Sequence, residues 1–161
     1  MVVQQARKAD LEQIVALENA CFPPEQAADR KSFAQRLEVF PNHFLLLCTE
    51  RGDCVGMING AVIEERYIRD EMYVDVGYHQ ENGAFQSVYG LVVLPEYRHQ
   101  GCAHRLMTAL MEQAEKEGRK GITLTCRPEK IGLYESMGFH EEGVADSDHG
   151  HVVWHNMVLE F

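Results

Sequence analysis

Val88-Tyr89-Gly90-Leu91-Val92-Val93-Leu94-Pro95-Glu96-Tyr97-Arg98-His99-Gln100-Gly101-Cys102-Ala103-His104-Arg105-Leu106-Met107 is the stretch whose reading decides the fold. Its apolar run stops at Pro95. A short loop holding Arg98, Gln100 and Gly101 follows, and then Ala103, Leu106, Met107, Leu110, Met111 and Ala114 recur at helical spacing. The stretch reads as strand, loop, helix. Gly101 permits a tight backbone turn and a close approach by a ligand. The first N–H groups of a helix have no intrahelical acceptor and lie at the positive end of its dipole. With Arg98 as a mobile cation, the loop is a site for a pyrophosphate.

Working outward, the helix is stopped by Gly118 as C-cap, and Gly121 to Cys126 is the next strand. Strand Gln86 to Val93, a crossover helix and that strand require parallel, right-handed pairing. Lys130 to Met137 is a short helix stopped at Gly138. Phe139 to Gly143 opens a strand, 146–150 is turn chemistry, and Val152 to Phe161 is the last strand. Upstream, Val2 and Val3 open a strand. Asp10 begins a helix with an apolar stripe of Leu11, Ile14, Val15 and Leu17, which breaks at Pro23-Pro24. Asp29 caps a second helix that ends before Pro41. Phe44 to Thr49 and Cys54 to Val62 form a hairpin about Arg51-Gly52-Asp53. Glu64 to Gly83 fits either a charged helix or a long loop, and long irregular segments are often functional. The order is β-α-α-β-β-β-α-β-α-β-β, an α+β fold around a mixed central sheet of six to seven strands with flanking helices.

A chain of 161 residues is expected to close one core as a single domain, 1–161. The formal charge of −10 argues against nucleic acid or an anionic membrane as the main partner. Five scattered cysteines without a C-x-x-C pair fit reduced, mostly buried thiols. No basic start leads into an apolar run, and no run is long enough to span a bilayer. The expectation is a cytoplasmic protein, monomer or homodimer.

Arg98-His99-Gln100-Gly101-Cys102-Ala103 resembles the acetyl-CoA signature of the GNAT acyltransferases, Arg/Gln-x-x-Gly-x-Gly/Ala, with Ala103 in the last small position. It lacks the Lys-Ser/Thr of a nucleotide P-loop, and a single Gly does not make the Rossmann fingerprint. Leu133-Tyr134-Glu135-Ser136-Met137-Gly138-Phe139 resembles the family's late Tyr-x-x-x-Gly-Phe element. The element order is similar to the GNAT order over nearly the whole chain. Leu17 to Glu25, Phe33 to Leu37, Val55 to Gly60 and Gly150 to Leu159 resemble the arylalkylamine N-acetyltransferase branch, particularly its bacterial relatives.

The resemblance implies transfer of an acetyl group from acetyl-CoA to a small primary aryl- or alkylamine. It implies cofactor contacts at Leu91, Val92, Val93, Arg98, His99, Gln100, Gly101, Cys102, Ala103, Leu133, Tyr134 and Met137. Direct acyl transfer needs a base or water path, an oxyanion donor and an acid for the sulfur. Tyr134 is the expected acid, and backbone N–H groups of Leu91 to Val93 the expected oxyanion donors. Gly90 marks either a bulge that frees those groups or a close packing contact. The two strand His of the animal branch correspond here to Ser87 and Tyr89, and neither is a base at neutral pH. The amine proton then leaves through ordered water to His149, His79 or Glu25. Phe22, Pro23, Glu25, Tyr73, His79 and His149 are expected at the acceptor mouth, whose polar residues are mostly acidic and favour a cationic amine. His149, His151 and His155 lie near Asp146 and Asp148, but no Cys accompanies them, and no metal is expected. Transfer to a protein N-terminus or lysine, and CoA binding without turnover, remain open.

Overall fold

The computed structural model describes residues 1–147 and 149–161. In chain order the elements are β1 (Val2–Gln5), α1 (Leu11–Cys21), α2 (Arg30–Val39), β2 (Phe44–Cys48), β3 (Cys54–Asn59), β4 (Val62–Ile63), β5 (Phe85–Val88), β6 (Gly90–Val93), α3 (Cys102–Lys116), β7 (Gly121–Cys126), α4 (Ile131–Ser136), β8 (His140–Val144) and β9 (His155–Glu160). The chain divides into two compact units, Met1–Gly60 with Gly90–Leu110, and Ala61–Tyr89 with Met111–Phe161. Among the described residues no helix is long and apolar enough to cross a membrane.

The first unit holds a sheet in the order β1-β2-β3-β6, antiparallel throughout. All five residues of β2 are buried, as its unbroken apolar sequence requires. Ile14 and Leu17 of α1 and Phe33 and Leu37 of α2 pack with Phe44, Leu46, Met57 and Val92 of the sheet. Each fully buried side chain of this size contributes about 1.5–3 kcal/mol. The Phe33 and Phe44 rings meet edge to face with centroids 6.2 Å apart. The buried Arg36 guanidinium donates to Asn59 Oδ1 at 2.9 Å. Asp29 caps α2 as expected, accepting Ser32 N–H at 2.8 Å. Asp10 directly precedes α1, and its carboxylate turns back to accept Arg7 N–H at 2.8 Å instead of capping the helix.

The second unit holds a sheet in the order β4-β5-β7-β9-β8. Strands β5 and β7 are parallel, in register from Phe85↔Gly121 to Val88↔Leu124, and the other pairs are antiparallel. The segment after β4 is a loop rather than a helix, carrying 3-10 turns at Asp70–Tyr73 and Val76–Tyr78. Arg66 ties it to the sheet, with a bidentate pair to Glu142 at 2.8 and 2.7 Å and a further bond to Glu160 at 2.7 Å.

Among the described residues four helices and the strand order agree with the sequence reading, but two expected strands are divided. The central one, Gln86 to Val93, is interrupted at Tyr89. Its first part pairs with β7 in one sheet, and its second part pairs with β3 in the other. The strand Cys54 to Val62 likewise stops at Asn59, and Val62–Ile63 pairs with β5. Among the described residues nine strands in two sheets result, where one sheet of six to seven was expected. An interruption lets each part keep the twist of its own neighbours, which one straight strand could not satisfy. Of the two readings of Gly90, close packing fails. An added Cβ there would meet only Asn59 Nδ2, at an ordinary 3.6 Å, whereas the strand does break beside it.

Candidate active site

The loop Arg98–Ala103 is held by its own residues. Pro95–Tyr97 forms a 3-10 turn, Arg98 Nε donates to Val93 O at 3.0 Å, and Gln100 Nε2 donates to Glu96 O at 3.1 Å. His99 and Gly101 both take positive φ, 62° and 82°. Left-handed residues alternating with ordinary ones turn successive N–H groups toward one concavity, which suits an anion. The ladder of α3 starts with Arg105 N–H donating to Gly101 O at 3.0 Å. The N–H groups of Cys102 and Ala103 precede it and have no intrahelical acceptor. A Cβ added at Gly101 would meet no atom within 4 Å. The cradle is open, and its donors and guanidinium fit a pyrophosphate.

Strand β6 is the last in its sheet. Leu94 N–H donates to Val55 O at 2.9 Å, directly after the registered pair Gly56↔Val93. By antiparallel alternation, the N–H and C=O groups of Val92 face β3, and those of Leu91 and Val93 face outward. The Val93 carbonyl accepts Arg98 Nε and, at 3.6 Å, the Cys21 thiol. The Leu91 and Val93 N–H groups are therefore presented at the edge, as an oxyanion donor requires.

In the second unit a cluster of tyrosines surrounds the end of β7. Tyr73 OH and Thr125 Oγ1 are hydrogen-bonded at 2.9 Å, and the Tyr73 and Tyr89 rings lie 5.0 Å apart. Tyr134, on α4, packs edge to face on Phe139 at 5.8 Å. Burial, then the nearby Cys126 and Tyr73, push the Tyr134 phenol well above the usual tyrosine range. A phenol so placed stays protonated across physiological pH and has a proton to donate. Leu133 and Met137 flank it in sequence and are half-buried. The sequence reading assigned Tyr73 to the acceptor and Tyr89 and Tyr134 to catalysis. The structure pairs the Tyr73 ring with Tyr89, sets Tyr73 near enough to Tyr134 to act on its phenol, and adds Thr125 and Cys126, which carried no local sequence signal.

Two other candidates are occupied by structural bonds. Ser87 is fully buried, and its Oγ donates to Ala61 O at 2.5 Å. Its N–H donates to the same carbonyl at 3.0 Å. This hydroxyl secures β5 where the strand leaves its ladder. His79 Nδ1 accepts Val62 N–H at 3.0 Å, and its Nε2 lies 3.0 Å from Glu81 Oε2. That pattern fixes the tautomer with the proton on Nε2. Both nitrogens are thus engaged, which leaves His79 poorly placed to take a proton from an amine. Phe22, Pro23 and Glu25 lie exposed on the loop between α1 and α2. The His149 side chain and all of Asp148 lie outside the described residues.

The irregular segment and the turn after β8 meet: Ser147 Oγ donates to Asp70 Oδ1 at 2.6 Å. Between them is a cavity of about 510 Å³, with Arg66, Tyr67, Arg69, Glu142, Asp146 and Asn156 in its wall. Its charge is more balanced than the sequence implied. Arg66 pairs with Glu142 and Glu160, and Arg69 pairs with Glu65 and Glu71. The Arg66 guanidinium holds the Glu142 carboxyl down to about 2. Arg66 and Glu142 were missed because a charge run reads as solvated surface until a partner 76 residues away is known, and Arg69 because its pairing with Glu65 and Glu71 is the ordinary pattern of such a surface.

A model of the acetyltransferase (GNAT) family matches residues 11–139. A probable hydrolase of Bacillus subtilis (strain 168), YhcX, is 28% identical over 138 residues, 79% of this chain and 26% of that protein. The chain thus spans about a quarter of the length of that curated relative. Among solved structures, the GphF GNAT-like decarboxylase in complex with isobutyryl-CoA is 20% identical with a TM-score of 0.86, over 99% of each chain. The loading GNATL domain of CurA from Lyngbya majuscula is 15% identical with a TM-score of 0.85, over 99% of this chain and 96% of that one. The ribosomal-protein-S18-alanine N-acetyltransferase from Escherichia coli is 20% identical with a TM-score of 0.74, over 99% and 92%. At such identities the likeness is one of fold.

Proposed function

The chain belongs to the acetyltransferase (GNAT) family, and we propose that it is an N-acetyltransferase that uses acetyl-CoA to acetylate a small primary aryl- or alkylamine. The observation that carries the reading is the cradle at the head of α3, with left-handed His99 and Gly101 and open space over the glycine. Acetyl-CoA supplies an activated acyl group whose sulfur departs as a thiolate. Arg98 and the N–H groups of Gln100 to Ala103 hold the pyrophosphate. The N–H groups of Leu91 and Val93 donate to the acyl oxygen as it gains charge. Tyr134 Oη gives its proton to the sulfur. With His79 and Ser87 engaged elsewhere, the amine proton leaves by water toward Glu25 or His149. The amine class rests on the resemblance to the arylalkylamine branch.

The test is a panel of primary amines with acetyl-CoA, read by release of free thiol and by mass of the acetylated product. Aryl- or alkylamines should exceed their α-carboxylated parents in kcat/KM. A carboxylated parent that turns over faster refutes the amine class, and no thiol release with any amine or peptide refutes the transferase reading. An arm with a carboxylated acyl-CoA, read by CO2 release, tests a second reading, decarboxylation. The likeness of fold to a GNAT-like decarboxylase motivates that arm.

A further inference from the structure

Strands β2 and β3 join through the exposed turn 49–53, and a cysteine stands at each side of it. Cys48 and Cys54 are register partners at the point where the ladder shifts. Cys54 N–H donates to Gln13 Oε1 at 3.2 Å, so it does not enter the ladder toward Cys48. The two cysteines therefore form a non-hydrogen-bonded antiparallel pair, the kind whose side chains approach most closely. Their sulfurs are 3.0 Å apart. That is inside ordinary contact for two unbonded sulfurs and about 1 Å from the ~2.05 Å of a disulfide. By contrast, the Cys21 thiol is turned to the Val93 carbonyl.

We propose that Cys48 and Cys54 are a redox-active dithiol that closes to a disulfide when the protein meets a peroxide. Cys54 is half-buried and Cys48 only 3% exposed, so the oxidant enters at Cys54. The Cys54 thiolate attacks one peroxide oxygen. The O–O bond breaks, an S–O bond forms, and the departing hydroxide takes a proton to become water. The Cys48 sulfur then attacks the Cys54 sulfenic acid: the S–O bond breaks, the S–S bond forms, and a second water leaves with the Cys48 proton. Two thiols lose two electrons in all, and one peroxide gains them. The closing movement falls on the turn, since Cys54 is followed by Val55, whose carbonyl holds Leu94 N–H. The turn is exposed, with Gly52 at φ 90° and open space around it. Burial, the Cys48 thiol, Asp10 and Asp53 all oppose the Cys54 thiolate and push it up to about 12. Oxidation is accordingly slow at neutral pH and faster in alkali.

The experiment treats the full, reduced chain with a small excess of hydrogen peroxide at pH 8.5, followed by alkylation, intact mass and trypsin digestion. Trypsin cuts after Arg51, between the two cysteines, and releases peptides 37–51 and 52–66. The intact mass should fall by two hydrogens, and the two peptides should travel as one species until reductant separates them. Cys54→Ser should abolish the linked species, and Cys21→Ser should leave it unchanged. The proposal is overturned if all five thiols still alkylate after treatment. It is equally overturned if Cys54 gains two oxygens as a sulfinate with Cys48 still free, or if the bridge joins other cysteines.

Discussion

Gly101→Ala offers a matched test of the pyrophosphate cradle, because the fold contains its own control. Gly101 and Gly118 flank α3, both at φ 82°, and an added Cβ at either would meet nothing within 4 Å. A methyl group therefore costs the same at both positions: no clash, only the strain of an L-residue in the left-handed region, about 1–2 kcal/mol. For a chain of this size that lowers Tm by roughly 2–8 °C. The ligand separates the two positions. At Gly101 the methyl enters the space over the donors of the loop and displaces one charge-assisted hydrogen bond, about 1.5–3 kcal/mol. Acetyl-CoA should bind the Gly101→Ala variant about 10- to 150-fold more weakly. Gly118→Ala should retain wild-type affinity despite the same loss of Tm. Titration calorimetry and thermal unfolding of the two variants give both quantities. Equal affinities in the pair, whether both retained or both reduced, would refute the assignment of the loop.

Further outcomes follow from individual side chains. Tyr134→Phe keeps the ring against Phe139, so acetyl-CoA affinity should hold while kcat falls by about 10²–10⁴; an unchanged kcat removes Tyr134 from the reaction. Because burial raises the wild-type phenol, wild-type kcat should show no loss of this acid on approaching pH 10, and an alkaline limb set by an ordinary tyrosine would contradict the assignment. Ser87→Ala breaks the bond to Ala61 O and should cost about 1 kcal/mol of stability with kcat within about threefold; a larger loss of kcat would return Ser87 to the proton path. Glu142, held down to about 2 by Arg66, contributes stability that is fully present above the ordinary carboxylate pKa of about 4.3 and is lost as pH falls through its folded value. Glu142→Gln should thus be less stable than wild type in urea at pH 7, and the gap should shrink steadily toward pH 2.

What could be read from the sequence was whatever neighbours along the chain decide. The apolar run to Pro95, the helical recurrence from Ala103 and the stop at Gly118 defined strand, loop and helix, because periodicity and caps act over one or two turns. Asp29 was identified as a cap for the same reason. Parallel pairing of the central strand followed from the length of its crossover. The cradle was legible too, since a loop and a helix start are contiguous, although the left-handed His99 within it carries no residue-type signature. Tyr134 came from a motif of seven consecutive residues.

Tertiary structure alone decided where strands break and which polar groups remain available. In Gln86 to Val93 the sequence offered only Gly90, which fitted a close packing contact as well as the interruption at Tyr89. The interruption arises because the two parts of the strand take partners far apart in sequence, β3 and β7, each with its own twist. The roles of Ser87 and His79 turned on Ala61 and Val62, which their own sequence neighbourhoods do not reveal. The charge of the cavity turned on Arg66 finding Glu142 and Glu160. A side chain's chemical type is written in the sequence, but whether its lone pairs and protons are already spent depends on groups that only folding brings within three ångströms.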